Sequence, residues 1–166
     1  MNTLLNIDEL FMNEALKEAE KCLPINEVPV GAVIVCKGVI IARGHNRMIT
    51  SNNPTAHAEI EAIRLAGEIL NNYRLVDTTL YVTLEPCMMC SGAMIHARVG
   101  RVVYGASDYK TGSVASAFKL LNDPRHNHQL EVTGGVLARE CSLQLSEFFK
   151  KRRLEHKQLR INKAKL

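Results

Sequence analysis

At 166 residues and 46% hydrophobic, the chain has the length of one globular domain, enough to bury roughly 70% of its unfolded surface. Its five unevenly spaced cysteines, an odd number, argue against a disulfide framework; the apolar run VGAVIVC at 30–36 is far short of the ~18 residues of a membrane span; and the acid-rich first twenty residues do not read as a secretory leader, so a reducing cytoplasm is expected. The net charge of +4 is unevenly spread: residues 150–166 hold eight Lys/Arg, including Lys165, against the single acid Glu155, so the rest of the chain is slightly acidic, which fits a polyanionic partner or a solvated basic end.

In chain order, residues 7–23 place Leu10, Phe11, Ala15, Leu16, Ala19 and Leu23 at helical spacing. The stretch VPVGAVIVCKGVIIARGHN then predicts two short apolar strands joined at Lys37-Gly38, a hairpin. A helix is expected over 56–70, with Asn53-Pro54-Thr55 as its start signals. TTLYVT (78–83) predicts a strand running into Glu85-Pro86, followed by a helix to about Ala97. RVVYGA (101–106) and QLEVTGGVL predict two more strands, and ARECSLQLSEFFKKRRLEHKQL a closing helix. No linker or internal repeat interrupts this order, so residues 1–166 are expected to form one domain with a basic C-terminal helix or tail from about 150. Strands separated by helices imply an α/β layered sheet.

Cys87 and Cys90 fall at the predicted strand-to-helix junction. Pro86 suits a first helical turn, so both cysteines are expected within that turn and on one face. The positive end of a helix favours thiolate over thiol. Such a pair could be a redox disulfide, half of a structural zinc knuckle, or part of a catalytic metal site. His57 and Glu59 lie at another predicted helix start, where side chains two apart can converge beyond the helix end. Together they form His57-Ala58-Glu59, 26 intervening residues, then Pro86-Cys87-x-x-Cys90, which matches the zinc-deaminase signature. Three ligands, His57, Cys87 and Cys90, would leave a fourth zinc position for water, the arrangement of a catalytic site. A structural zinc would need a fourth protein ligand, for which His96, His126 and His128 are candidates.

The segments EVPVGAVIV, GHNR, PTAHAEIEAIR, NYRLVDTTLYVTLEPCMMCSGAMIHARVGRVVYGA, KTGS and GGVLARECSLQLSEFFKKRR resemble the bacterial tRNA-specific adenosine deaminases of the zinc-dependent cytidine/deoxycytidylate deaminase superfamily. The resemblance implies a three-layer α/β/α sandwich around a five-stranded mixed sheet, one Zn(2+) per chain and a homodimer. It also implies hydrolytic deamination of adenosine to inosine at the wobble position of a tRNA anticodon, with arginine tRNA as substrate. Glu59 would serve as proton shuttle for zinc-activated water.

Asn46 matches the family residue that hydrogen-bonds the purine, and Glu27, Val28, Pro29 and Val30 resemble the wall of the base pocket. Ala58 and Leu84 flank the ligands and would offer backbone groups to the base. Asp108, Lys110, Asn127 and His128 match the RNA-facing region, with Asp108 able to accept a ribose 2′-OH. Phe148 and Phe149, followed by Lys150, Lys151, Arg152 and Arg153, suit an unstacked nucleotide and its phosphates, although one Phe is expected to pack inside. Cys22, Cys36 and Cys141 are expected as buried small hydrophobes. Two other functions share the signature or its metal: deamination of a free base or nucleotide, and a zinc-stabilised RNA-binding module without chemistry.

Overall fold

The computed structural model describes residues 3–164, so Lys165 of the basic end lies outside the described residues. The elements run α1 (Thr3–Glu20), β1 (Gly31–Cys36), β2 (Val39–His45), α2 (Ala58–Leu70), β3 (Thr78–Leu84), α3 (Met88–His96), β4 (Arg101–Ala106), β5 (Glu131–Gly134) and α4 (Ala138–Ala164). The first helix ends earlier than its apolar spacing suggests, because Pro24 sits in a 3-10 turn, Leu23–Ile25, that redirects the chain. The last helix continues to Ala164, beyond the expected stop.

The five strands form one mixed sheet in the order β2-β1-β3-β4-β5. β1 is antiparallel to β2 and to β3, whereas β3, β4 and β5 are mutually parallel. Lys37 (φ 50°) and Gly38 (φ 76°) make the tight hairpin between β1 and β2, both in the left-handed region that a two-residue turn of matching twist requires.

Strand alternation divides the core in two. Ala32, Ile34, Leu80, Val82, Val102 and Tyr104 face α2 and α3, and Val33, Val35, Tyr81 and Val103 face α1 and α4. Both faces are covered by helices, which gives the expected α/β/α sandwich. On α2, Ala58, Ala62 and Ala66 recur every fourth residue and are buried, so the helix lies close to the sheet. Gly44 completes that approach: a Cβ there would stand 2.3 Å from the Ala58 carbonyl oxygen. The start of α2 is thereby pressed against β2, beside the C-terminal end of β3.

Candidate active site

His57 is the N-cap of α2 (φ −74°, ψ 154°) and Cys87 the N-cap of α3 (φ −76°, ψ 174°), both with extended backbone. Cys87 therefore precedes the first helical turn instead of lying within it, since Pro86 already stands outside the helix and Met88 is its first residue. Cys90 comes from that first turn. The three ligand atoms form a triangle: Cys87 Sγ to Cys90 Sγ 3.7 Å, Cys87 Sγ to His57 Nδ1 3.7 Å, and Cys90 Sγ to His57 Nδ1 3.6 Å. Tetrahedral bonds of ~2.3 Å to sulfur and ~2.0–2.1 Å to nitrogen require separations of about 3.8 Å between sulfurs and about 3.6 Å from sulfur to nitrogen. The residues present fit a zinc ion. Among the described residues, no fourth His, Cys, Asp or Glu belongs to this cluster. His126 Nε2 pairs with the Leu120 carbonyl (2.9 Å), His128 Nε2 pairs with that of Val99 (2.7 Å), and His96 is exposed at the end of α3. The geometry thus favours a site with an open position.

Two sulfurs this close share their first negative charge. A hydrogen bond from Cys90 brings the Cys87 thiol down to about 4, against the effect of burial, with His57 assisting, and Cys90 is pushed up by the same thiolate and by burial. The interaction with Cys87 raises His57 against the cost of burial. Glu59, on the first turn of α2, is 4% exposed, and burial pushes its carboxyl up to about 7.

His57, Glu59 and Cys87 line a cavity of about 170 Å³ together with Val28, Val30, Asn46, Met48, Leu84, Glu85, Asp108 and Thr111. That is well below the roughly 300 Å³ of drug-sized pockets and suits one base with the remainder of its ligand outside. Of the residues singled out in the sequence, Asn46, Val28, Val30, Leu84 and Asp108 line this cavity. Glu27 and Pro29 are not in this wall. Glu27 is fully buried, and one of its carboxylate oxygens accepts the Thr50 N–H (2.8 Å) and hydroxyl (3.2 Å). The Ala58 N–H is not free for a base either, because it donates to Asn46 Oδ1 (3.0 Å), while Asn46 Nδ2 donates to the Val28 carbonyl (3.1 Å). Asp108 accepts the N–H groups of Lys110 (2.9 Å) and Thr111 (3.2 Å) and the Thr111 hydroxyl (2.6 Å). Burial alone would raise its carboxyl; the Thr111 and Lys110 contacts outweigh this and hold it below the ordinary range.

A second cavity of about 430 Å³ shares Val28, Leu84, Asp108 and Thr111 with the first and adds Tyr109, Lys110, Leu145 and Phe149. Tyr109 is 84% exposed and Phe149 44%. Phe148 is a correction: it is buried in the core, edge-on to Phe149 at 5.5 Å, and offers no face to a nucleotide. The spacing Cys141, Leu145, Phe148 marks the inward face of α4 and separates the two phenylalanines in the sequence itself. Beyond Phe149, a basic groove runs along α4 past Arg152, Arg153, His156, Lys157 and Arg160. Lys150 and Lys151 are exposed, and Arg152 is partly engaged by Glu155 at 2.9 Å. Asn127 and His128 lie elsewhere, tied to the turn between α3 and β4, where Arg98 donates to the Asn127 carbonyl (2.9 Å). Cys22 and Cys141 are buried as expected, whereas Cys36, at the end of β1, is only partly so. Met48, Thr111, Tyr109 and Glu85 are site residues that sequence reasoning misses; loop positions such as these carry no periodic signal.

Residues 5–106 match the family described as the cytidine and deoxycytidylate deaminase zinc-binding region. The chain belongs to this deaminase family. This deaminase is 54% identical over 160 residues to the tRNA-specific adenosine deaminase of Haemophilus influenzae, covering 96% of this chain and 91% of the relative. It is 50% identical to the protein of the same name from Bacillus subtilis, over 93% and 96% of the two chains. A solved structure from studies of A-to-I editing by tRNA:A34 deaminases at the wobble position superposes with a TM-score of 0.79 at 45% identity, covering 81% of this chain and 98% of the other. A guanine deaminase from Nitrosomonas europaea superposes with a TM-score of 0.71 at 25% identity, covering 84% and 83%. This deaminase is a zinc-dependent hydrolytic enzyme with the cytidine-deaminase-like fold, and no described helix is long and apolar enough to cross a membrane.

Proposed function

We propose that this deaminase converts adenosine to inosine at the wobble position of a tRNA anticodon, with arginine tRNA as its substrate. The observation that carries this reading is that His57 and Cys87, which form the ligand triangle with the buried Cys90, line one base-sized cavity with Glu59, and that this cavity adjoins a surface of Tyr109, Lys110 and Phe149. The names of the relatives above support the substrate, and the basic groove on α4 supports an RNA partner.

His57, Cys87 and Cys90 would hold the zinc, with the imidazole neutral and both cysteines as thiolates. When bound, the ion acts as a Lewis acid that makes a water easier to deprotonate. Glu59 accepts the proton of the attacking water and delivers it to N1 of adenine as the water oxygen bonds to C6. The second water proton, now on the C6 hydroxyl, is carried by the same carboxyl to the amino group, which leaves as ammonia as its bond to C6 breaks and the C6 carbonyl forms. Asn46 retains one N–H and one lone pair after its bonds to Val28 and Ala58, and these orient the purine. Val28, Val30 and Leu84 exclude water from its faces. The remaining lone pair of Asp108 suits a ribose 2′-OH. Phe149, Lys150, Arg152 and Arg153 take flanking nucleotides and phosphates. The enzyme acts as a cytoplasmic homodimer whose chains each form one domain over residues 1–166.

The test is to incubate zinc-loaded enzyme with a tRNA pool and map the products by mass spectrometry. A gain of about one dalton at an anticodon adenosine is expected, since an amino group is exchanged for oxygen. Modification of free guanine with no change in tRNA would favour deamination of a free base, the activity for which the Nitrosomonas europaea guanine deaminase is named.

A further inference from the structure

We infer that Glu85 is a positioning residue, whose buried carboxylate folds residues 107–117 onto the strand end that carries Cys87 and so builds one wall of the base cavity in advance. The inference rests on the proposed reading only where it concerns substrate. Glu85 is the first residue after β3 and is 2% exposed. Its Oε1 accepts three consecutive backbone N–H groups, those of Val114 (3.1 Å), Ala115 (2.8 Å) and Ser116 (3.0 Å). Its Oε2 accepts the Asp108 N–H (3.0 Å) and the Ser116 hydroxyl. Five donors exhaust the roughly four lone-pair sites of a carboxylate, so nothing remains with which Glu85 could hold substrate or move a proton. Its part in the site must run through the loop.

Residues 107–117 lie between β4 and β5, outside helix and strand, where backbone N–H groups need another acceptor. Burying a carboxylate is costly unless it is fully hydrogen-bonded, and here one side chain satisfies both ends of the loop at once. The fit is close. A Cβ on Gly112 would stand 2.4 Å from the Asp108 carbonyl oxygen and 2.5 Å from Glu85 Cδ, so only glycine lets the loop close over the carboxylate. Neighbouring bonds join the same two segments: Gly112 bridges to Cys87, and the Ser113 N–H (2.8 Å) and hydroxyl (3.0 Å) both donate to the Pro86 carbonyl. The outcome of this folding is that Asp108 and Thr111 stand in the cavity beside Cys87.

The experiment compares Glu85→Ala, Glu85→Gln and Gly112→Ala with the parent enzyme. Zinc content, amide hydrogen exchange of residues 108–116, and kcat and KM on a wobble-adenosine anticodon stem-loop are measured for each. Exchange in the loop should quicken by about tenfold or more in Glu85→Ala and Gly112→Ala, because the loop amides no longer have a well-placed acceptor. KM should rise by a similar factor, about tenfold or more, with kcat within about threefold, since substrate must now order the loop as it binds. Glu85→Gln should fall between, because its amide oxygen still accepts the N–H groups of residues 114–116. Unchanged exchange in Glu85→Ala would overturn the inference, as would faster exchange with an unaltered KM. Loss of zinc from Glu85→Ala with normal exchange and KM in Gly112→Ala would also overturn it, assigning Glu85 to the metal-ligand segment. Should the parent fail to deaminate the stem-loop, the substrate reading falls, and the exchange data still decide the role of Glu85.

Discussion

Asn46 Oδ1 accepts the N–H of Ala58 at 3.0 Å, fastening the end of β2 to the residue that stands between His57 and Glu59. Asn46 is 4% exposed, and its other amide bond, to the Val28 carbonyl, ties in the opposite wall of the cavity. Asn46→Ala should lower stability by about 1–3 kcal/mol in urea melts of the zinc-loaded protein, because buried partners are left unsatisfied. Its kcat/KM should fall about a hundredfold or more while zinc stays bound, since a small misplacement of Glu59 against the base is enough. An unchanged melt would show that this bond does not hold the site together.

Glu59→Gln and Cys87→Ala should separate chemistry from metal. The first should keep stoichiometric zinc and RNA affinity and lose kcat by about 10²–10⁴, the range expected when a positioned proton carrier is removed. The second should lose most of its zinc and unfold more easily, because metal binding is coupled to folding. Metal analysis and single-turnover rates read both. Near-normal turnover in Glu59→Gln, or full zinc in Cys87→Ala, would contradict the roles proposed for them.

The chemistry is legible in the sequence because it is built from helix starts. A His-x-Glu and a Pro-Cys-x-x-Cys at two predicted helix mouths are enough to converge on one ion, and the Lys37-Gly38 turn sets the hairpin beside them. What is not legible depends on long-range pairing in irregular segments. The partners of Glu85 lie 23 to 31 residues away, and no periodicity connects them. Asp8, which accepts Arg101 at 2.7 and 2.9 Å and the Tyr81 hydroxyl at 2.9 Å, lies 93 and 73 residues from them. Glu27 reads as a pocket residue beside Val28 and Val30, but a 3-10 turn and the Thr50 hydrogen bonds direct its side chain inward.

The basic end of α4 should act through phosphates. Replacing Lys150, Lys151, Arg152 and Arg153 by Ala should weaken stem-loop binding and flatten its salt dependence. On single-stranded RNA the log–log slope should fall by roughly 0.7 for each phosphate that is no longer neutralised. Arg152 should count for less than the others because Glu155 already engages it. Filter-binding titrations across a salt series measure the slope; an unchanged value would make this cluster a solvated surface.

Glu14 offers a pH test of the frame remote from the metal. Hydrogen bonds from Lys17 (2.6 Å) and then Arg43 (2.8 Å) hold its carboxyl below the ordinary range. A depressed folded-state value means that the contribution to stability is complete above the unfolded value of about 4.3 and disappears as pH falls through the folded one. Glu14→Gln should therefore be less stable than the parent at pH 7, by at most about 1 kcal/mol for so exposed a pair, with the gap closing in acid and narrowing in salt. Paired urea melts across pH would show it, and a gap that widened in acid would refute the assignment.

The substrate is tested most directly by initial rates on four compounds at equal concentration: an arginine-tRNA anticodon stem-loop with wobble adenosine, the same stem-loop with that adenosine moved into the stem, free adenosine, and free guanine. A paired and stacked adenine cannot present C6 to the small cavity, and the free compounds lack the flanking nucleotides whose binding energy holds the base in reactive geometry. Rapid deamination of the first compound alone is the expected result. Free guanine or adenosine reacting as fast as the loop substrate would contradict tRNA editing and make this chain a salvage deaminase.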